Sequence, residues 1–239
     1  IPPLKKKEKA RASKKAPVVP QIEIQIPYEL NQEQLGCFNE IRKSKDFKVH
    51  LIYGVTGSGK TEVYFEAVNS FLKEGKQVLI LLPEIGLSTQ IVDRFISRFS
   101  VEPYVWHSNI TKKQKKDTFI ASSNGNLKVI IGARSALFLP FNNLGLIIVD
   151  EEHDSSYKQE EGVIYNARDM AVLRAKIHNI PIMLASATPS LETLNNVEKC
   201  KYSLFKLNSR YNQMVMPDIT RVDLKEQKPA KGKYLSQSM

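Results

Sequence analysis

The sequence predicts an α/β fold in which a parallel sheet is covered by helices on both faces. Three observations carry that prediction. Short apolar runs alternate with longer segments of helical periodicity, an order that builds parallel strands joined by crossover helices. A glycine-rich turn separates the first such strand from the helix after it. The conspicuous polar motifs then follow strand ends, where open parallel sheets bind their ligands.

Each element has its own reason. Residues 48–53 form an apolar run that stops at Gly54, a buried strand. Residues 61–72 place Val63, Ala67, Val68, Phe71 and Leu72 at helical spacing, and Gly75 suits the position just past the helix end. Residues 77–82 are a second strand, stopped by Pro83. Residues 88–99 put Ile91, Phe95, Ile96 and Phe99 on one helical face. Residues 128–131 and 146–150 are strands. Residues 166–178 are a helix carrying Ala167, Met170, Ala171, Leu173 and Ile177. Residues 182–185, preceded by Pro181, are a further strand. No repeat of the solenoid kind is present.

Composition narrows the class. The 239 residues are 42% hydrophobic and 25% charged, which excludes a disordered chain, a collagen-like fibre and a disulfide mini-protein. No run approaches the ~20 apolar residues of a spanning helix. Residues 1–20 hold no apolar signal segment, and a chain starting at Ile1 is expected to be a fragment. Cys37 and Cys200 have no partners at zinc-ligand spacing and are expected to be free thiols of a cytoplasmic protein.

The net charge of +10 points toward nucleic acid or an anionic surface. It is unevenly spread: +6 lies in residues 1–20, +3 in residues 221–239 and +1 in the 200 residues between. Residues 1–27 therefore read as a basic Pro/Lys-rich linker, residues 28–205 as the folded lobe and residues 206–239 as an exit segment. Lys112, Lys113, Lys115 and Lys116 read as a solvated helix face.

The motifs carry the chemistry. Gly54, Val55, Thr56, Gly57, Ser58, Gly59, Lys60 and Thr61 fit the phosphate-loop pattern between a strand and a helix. Glycines let backbone N–H groups close around phosphate oxygens, and the helix adds its positive end. Lys60 would neutralise the β- and γ-phosphates of ATP, and Thr61 would hold Mg²⁺. Asp150, at a strand end, is the second Mg²⁺ candidate, and Glu151 the group that orients or deprotonates the attacking water. His153 is open between a structural hydrogen bond and a coupling role.

The order of phosphate loop, Asp150-Glu151-Glu152-His153 and Ser186-Ala187-Thr188 resembles the first motor lobe of superfamily 2 helicases and translocases. The resemblance implies a RecA-like P-loop fold. It implies that Ser186 and Thr188 link the Mg²⁺ site to the nucleic-acid surface, and that Gln34 reads the adenine edge. Taken alone, Gln34 is equally a surface helix residue.

Longer blocks are similar to the primosomal protein N′ (PriA) family of replication-restart DNA helicases: residues 54–64, 82–90, 107–108, 132–141, 150–159, 167–169 and 186–193. That resemblance implies a 3′ to 5′ DNA helicase that uses ATP and supports primosome assembly. Implied partners are single-stranded and forked DNA, primosome proteins and single-strand binding protein; the implied site is the bacterial cytoplasm, near the nucleoid. It also implies that residues 153–169 are an aromatic-rich loop sensing single-stranded DNA. Tyr157, Lys158 and Arg168, with Arg134 after a preceding strand, are then candidate DNA contacts. The competing reading is a surface loop anchored to the core by a tyrosine.

The family's second lobe, arginine fingers and cysteine-rich zinc sites have no matching motif in this sequence. The stretch is therefore expected to be incomplete as an enzyme. Two alternatives stay open: a lobe of another superfamily 2 translocase, RecQ-like or restriction-type, or a non-hydrolytic DNA-binding scaffold.

Overall fold

The computed structural model describes residues 28–83, 89–209 and Val222. The basic linker, much of the exit segment and residues 84–88 lie outside the described residues.

The chain opens with α1 (Gln32–Lys43), capped by Asn31 in a reciprocal capping box with Gln34. β1 (Val49–Gly54), α2 (Lys60–Lys73), β2 (Gln77–Leu81) and α3 (Thr89–Phe99) follow in the expected alternation. Next come β3 (Tyr104–Trp106), α4 (Lys112–Ser123), β4 (Val129–Gly132), a 3₁₀ turn (Arg134–Phe138) and β5 (Leu144–Asp150). A short hairpin of β6 (Lys158–Gln159) and β7 (Tyr165–Asn166) leads into α5 (Ala167–His178). β8 (Ile182–Ser186), α6 (Leu191–Glu198) and β9 (Ser203–Leu207) complete the described body.

Seven strands form one parallel sheet in the order β3-β4-β2-β5-β8-β1-β9. Its central strands are buried on both faces, so β2 and β5 read as near-continuous apolar runs. Successive residues still serve opposite faces. Val78 and Ile80 pack with Val63, Phe65, Phe95 and Phe99 under α2 and α3. Leu79 and Leu81 pack with Leu137, Ala171 and Leu184 beneath α5 and the 3₁₀ turn. Gln77 brings a polar side chain into this interior: it donates to the carbonyls of Ser122 and Leu127 and accepts from the N–H groups of Asn142 and Asn143. All of its hydrogen-bonding capacity that burial would otherwise waste is used.

The register positions the site. Asp150 pairs with Ala185, and Ser186 pairs with Tyr53, the residue before Gly54. The ends of β5, β8 and β1 thus stand side by side at one edge of the sheet. The phosphate loop and the two later motifs leave from that edge.

Candidate active site

The phosphate loop spans from the last residue of β1 to the first of α2. Gly57 and Gly59 both have φ of +82°, in the left-handed region that favours glycine. Space is short as well: a Cβ on Gly54 would lie 2.5 Å from Ser58 Oγ, and one on Gly59 would lie 2.3 Å from Gln34 Nε2. The loop keeps its backbone bare where phosphate oxygens would approach. Lys60 is buried and donates from Nζ to the Gly54 carbonyl at 2.7 Å. Burial holds its pKa below the ordinary lysine value, against the opposing pull of Glu151 and Asp150. Val55 and Thr56 are exposed at the lip of the loop.

Asp150 is buried at the end of β5. Burial raises its pKa to about 6, with Glu151 adding to the effect; hydrogen bonds from the Tyr64 hydroxyl and the Glu151 N–H, and the charge of Lys60, work the other way. The hydroxyl–carboxylate distance is 3.1 Å to Oδ2, and the backbone N–H of Glu151 reaches Oδ1 at 3.0 Å. Glu151 has φ of +45°, a left-handed conformation in a non-glycine residue. Such strain persists where surrounding structure fixes it, and it clusters at active sites. Carboxylate, ammonium and bare backbone N–H groups therefore converge on one edge. That donor set suits a nucleotide triphosphate with its divalent cation, with Thr61 and Asp150 as the oxygen ligands. No cluster of three or more His, Cys, Asp or Glu side chains forms a separate metal site among the described residues.

His153 and Ser186 meet: Nδ1 lies 2.8 Å from the serine Oγ, which also accepts from the Thr188 N–H at 3.0 Å. The Asp-Glu-Glu-His turn and the Ser-Ala-Thr turn are thus joined by a direct contact.

Sequence reasoning missed the strongest tie between these turns. Glu152 is almost fully buried, and its carboxylate accepts from the Ser190 N–H at 2.7 Å, the Ser190 hydroxyl at 3.1 Å and the Thr193 hydroxyl at 2.9 Å. Arg168 Nη1 completes the set at 3.1 Å. Nothing in an acidic triplet says which carboxylate turns inward. Tyr64, inside an apolar helix face, gave no polar signal either.

Two expectations are corrected. Tyr157 offers no face to a base: it has no exposed surface, and its hydroxyl donates to the carbonyls of Asp150 at 2.6 Å and Leu81 at 3.0 Å. The tyrosine anchors the loop to the core, the competing reading. Arg168 is also buried, with its guanidinium spent on Glu152, Asp169 and Ser190. Gln34 has one local partner on each side of its amide: Oε1 accepts from the Asn31 N–H and Nε2 donates to the Ser58 carbonyl, both at 2.9 Å. It closes the capping box of α1 and ties that helix to the phosphate loop. Lys158 stays exposed, paired with Glu160 at 2.9 Å. Arg134 donates to the Lys158 carbonyl at 2.6 Å and so holds the hairpin against the 3₁₀ turn.

Comparison with known proteins agrees with this geometry. The family described as DEAD/DEAH box helicase matches residues 31–197. Replication restart protein PriA of Rickettsia felis is 51% identical over 208 residues, covering 87% of this chain and 32% of the relative. The protein of the same name from Bacillus subtilis is 44% identical, covering 84% of this chain and 25% of the relative. The chain thus spans between a quarter and a third of the length of the curated relatives it matches. Among solved structures, RecG bound to a three-way DNA junction superposes with a TM-score of 0.59 at 24% identity, over 78% of this chain and 25% of that one. The Hef helicase domain of Pyrococcus furiosus gives 0.50 at 20% identity, over 74% of this chain and 38% of that one. At these identities the structural likeness speaks for the fold, a RecA-like helicase lobe. Phosphate loop, Asp-Glu-Glu-His turn and Ser-Ala-Thr turn all lie within the matched span, and the chain belongs to the DEAD/DEAH box helicase family.

Proposed function

We propose that the chain is the ATP-binding first motor lobe of a PriA-like DNA helicase that travels 3′ to 5′ and restarts stalled replication forks. The observation that carries this reading is the alignment of the Lys60 loop, Asp150 and Ser186 on adjacent strand ends. The similarity to the replication restart proteins selects this use among the family's many.

The chemistry follows from the residues. Backbone N–H groups of residues 57–61 and the N-terminal end of α2 would hold the phosphates, with Lys60 on the β- and γ-phosphates. Thr61 and Asp150 would hold Mg²⁺, which supplies charge stabilisation to the transferring phosphoryl group when bound. Glu151 would orient the attacking water and accept its proton. His153 and Ser186 would report the state of that turn to the segment after β8. Single-stranded or forked DNA would be met by groups around the hairpin, the exposed Lys158 and the half-buried Arg134 among them. Residues 28–205 would be the working lobe, with residues 206–239 leading toward a second lobe that supplies arginine fingers. Zinc, primosome proteins and single-strand binding protein would engage other parts of such a helicase, in the bacterial cytoplasm and at the nucleoid.

Titration of the chain with a fluorescent ATP analogue and Mg²⁺ tests this. Weak saturable binding that Lys60→Ala removes, with little hydrolysis, is expected. Binding that survives Lys60→Ala would overturn the assignment of the phosphate loop, and brisk DNA-stimulated turnover by this chain alone would overturn the need for a second lobe.

A further inference from the structure

Tyr64 stands where a core residue is expected, on the inward face of α2, and has no exposed surface. Its ring is held edge-on by Phe65 at a centroid distance of 5.1 Å. Packing alone would be met by phenylalanine. The hydroxyl is what differs, and a buried hydroxyl needs a partner. This one donates to Asp150 Oδ2 at 3.1 Å, across 86 residues of sequence. Tyr64 therefore touches a residue that would hold the divalent cation.

A second tyrosine acts on the same aspartate from the other side. The Tyr157 hydroxyl donates to the Asp150 backbone carbonyl at 2.6 Å and to Leu81 at 3.0 Å. Backbone and side chain of Asp150 are thus each fixed by a phenol. With Glu151 N–H on Oδ1, both carboxylate oxygens have a donor from the protein. The carboxylate cannot swing freely, and a ligand fixed before the metal arrives loses less entropy on binding it.

We propose that Tyr64 is a positioning residue for the divalent cation, its phenol holding Asp150 Oδ2 so that this ligand is oriented before Mg²⁺·nucleotide binds. The inference rests on the nucleotide reading above and adds to it a residue outside the helicase motifs.

The test is metal affinity, not turnover. The chain and its Tyr64→Phe variant are titrated with Mn²⁺ in the presence of saturating ADP, followed by the electron paramagnetic resonance of free Mn²⁺. Affinity for a fluorescent ADP analogue is measured in parallel in excess EDTA. Changing a hydrogen-bond partner of a metal-ligating group typically costs roughly 10–100-fold in metal affinity, so Tyr64→Phe is expected to raise the half-saturating Mn²⁺ concentration by about tenfold. Metal-free ADP affinity should stay within about twofold. The Asp150→Asn background supplies the control: if Tyr64 acts through Asp150, adding Tyr64→Phe there changes Mn²⁺ affinity far less than in the parent chain. Unchanged Mn²⁺ affinity in Tyr64→Phe overturns the proposal, as does an equal loss in both backgrounds or a loss of metal-free ADP affinity to match. Should Tyr64→Phe fail to fold, Tyr64→Leu and Tyr64→Met, which also lack the hydroxyl, are read in the same way, and unchanged Mn²⁺ affinity in a folded one overturns it. Failure of the parent chain to bind ADP at all would count against the nucleotide reading itself.

Discussion

Glu152 illustrates how one inward carboxylate can organise a site without touching the chemistry. Four protein donors meet it, one of them the Arg168 guanidinium. Removing one partner of a buried ion pair strands the other charge, at a cost of about 3–5 kcal/mol. Glu152→Ala is therefore expected to lower the melting temperature by roughly 10 °C, at the usual 2–4 °C per kcal/mol for chains of this size. Glu151→Gln, one position earlier on a half-exposed side chain, should leave it nearly unchanged; differential scanning calorimetry on both variants separates the two roles. An equal effect of the two substitutions would mean that the inward carboxylate is not the organiser. The sequence could not distinguish these neighbours, because the strand ends at Asp150 and alternation no longer predicts which side chain turns inward.

At the scale of elements, β1 carries a titratable group that the motor chemistry does not use. His50 has no exposed surface and sits 5.8 Å, centroid to centroid, from the Phe205 ring. Its Nε2 meets Ser44 Oγ at 2.9 Å, and Nδ1 has no partner among the described residues. Burial lowers its pKa to about 4, with the charge of Lys48 just before the strand adding to the effect and Glu40 on α1 opposing it. The unfolded chain then binds more protons than the folded one between pH 6.5 and about 4. The stabilisation is complete above pH 6.5 and is lost as pH falls through that window, to the extent of about 3 kcal/mol at 1.36 kcal/mol per pH unit. Urea denaturation of His50→Gln should show a smaller loss of stability than the parent from pH 7 to pH 4.5; parallel curves would contradict it. Elements with a strong period, such as α2, β2 and α5, were legible from the sequence within one or two residues. The edge strands β3 and β9 were not, because three or five half-exposed residues carry little apolar alternation. The helices α4 and α6 were given no bounds, α4 being read through its lysines alone, for a related reason: each buries few side chains, so its pattern is faint.

For the whole molecule, the parallel sheet and the gathering of three motifs at one end of it were readable because phosphate chemistry demands residues of fixed type at fixed spacing, and the strand order then brings distant motifs together. The candidate DNA contacts were less readable. Tyr157 and Arg168 have the composition of a nucleic-acid contact, yet their hydroxyl and guanidinium groups are used inside the fold, and composition does not distinguish the two uses. That shifts the burden of DNA attraction outward, since the 200 residues between the basic termini carry only +1 of the +10 net charge. Residues 1–20 hold Lys5, Lys6, Lys7, Lys9, Arg11, Lys14 and Lys15. Each cation that neutralises a phosphate adds about 0.7 to the salt slope on a single strand, so these seven together can contribute up to about 5. Deleting residues 1–20 is expected to flatten the plot of log affinity for oligo-dT against log salt by several units, leaving binding of the fluorescent ATP analogue unchanged. Fluorescence anisotropy between 50 and roughly 300 mM salt reads the slope directly. A slope that survives the deletion would place the attraction on the lobe itself, with Lys158 and Arg134 the first residues to substitute.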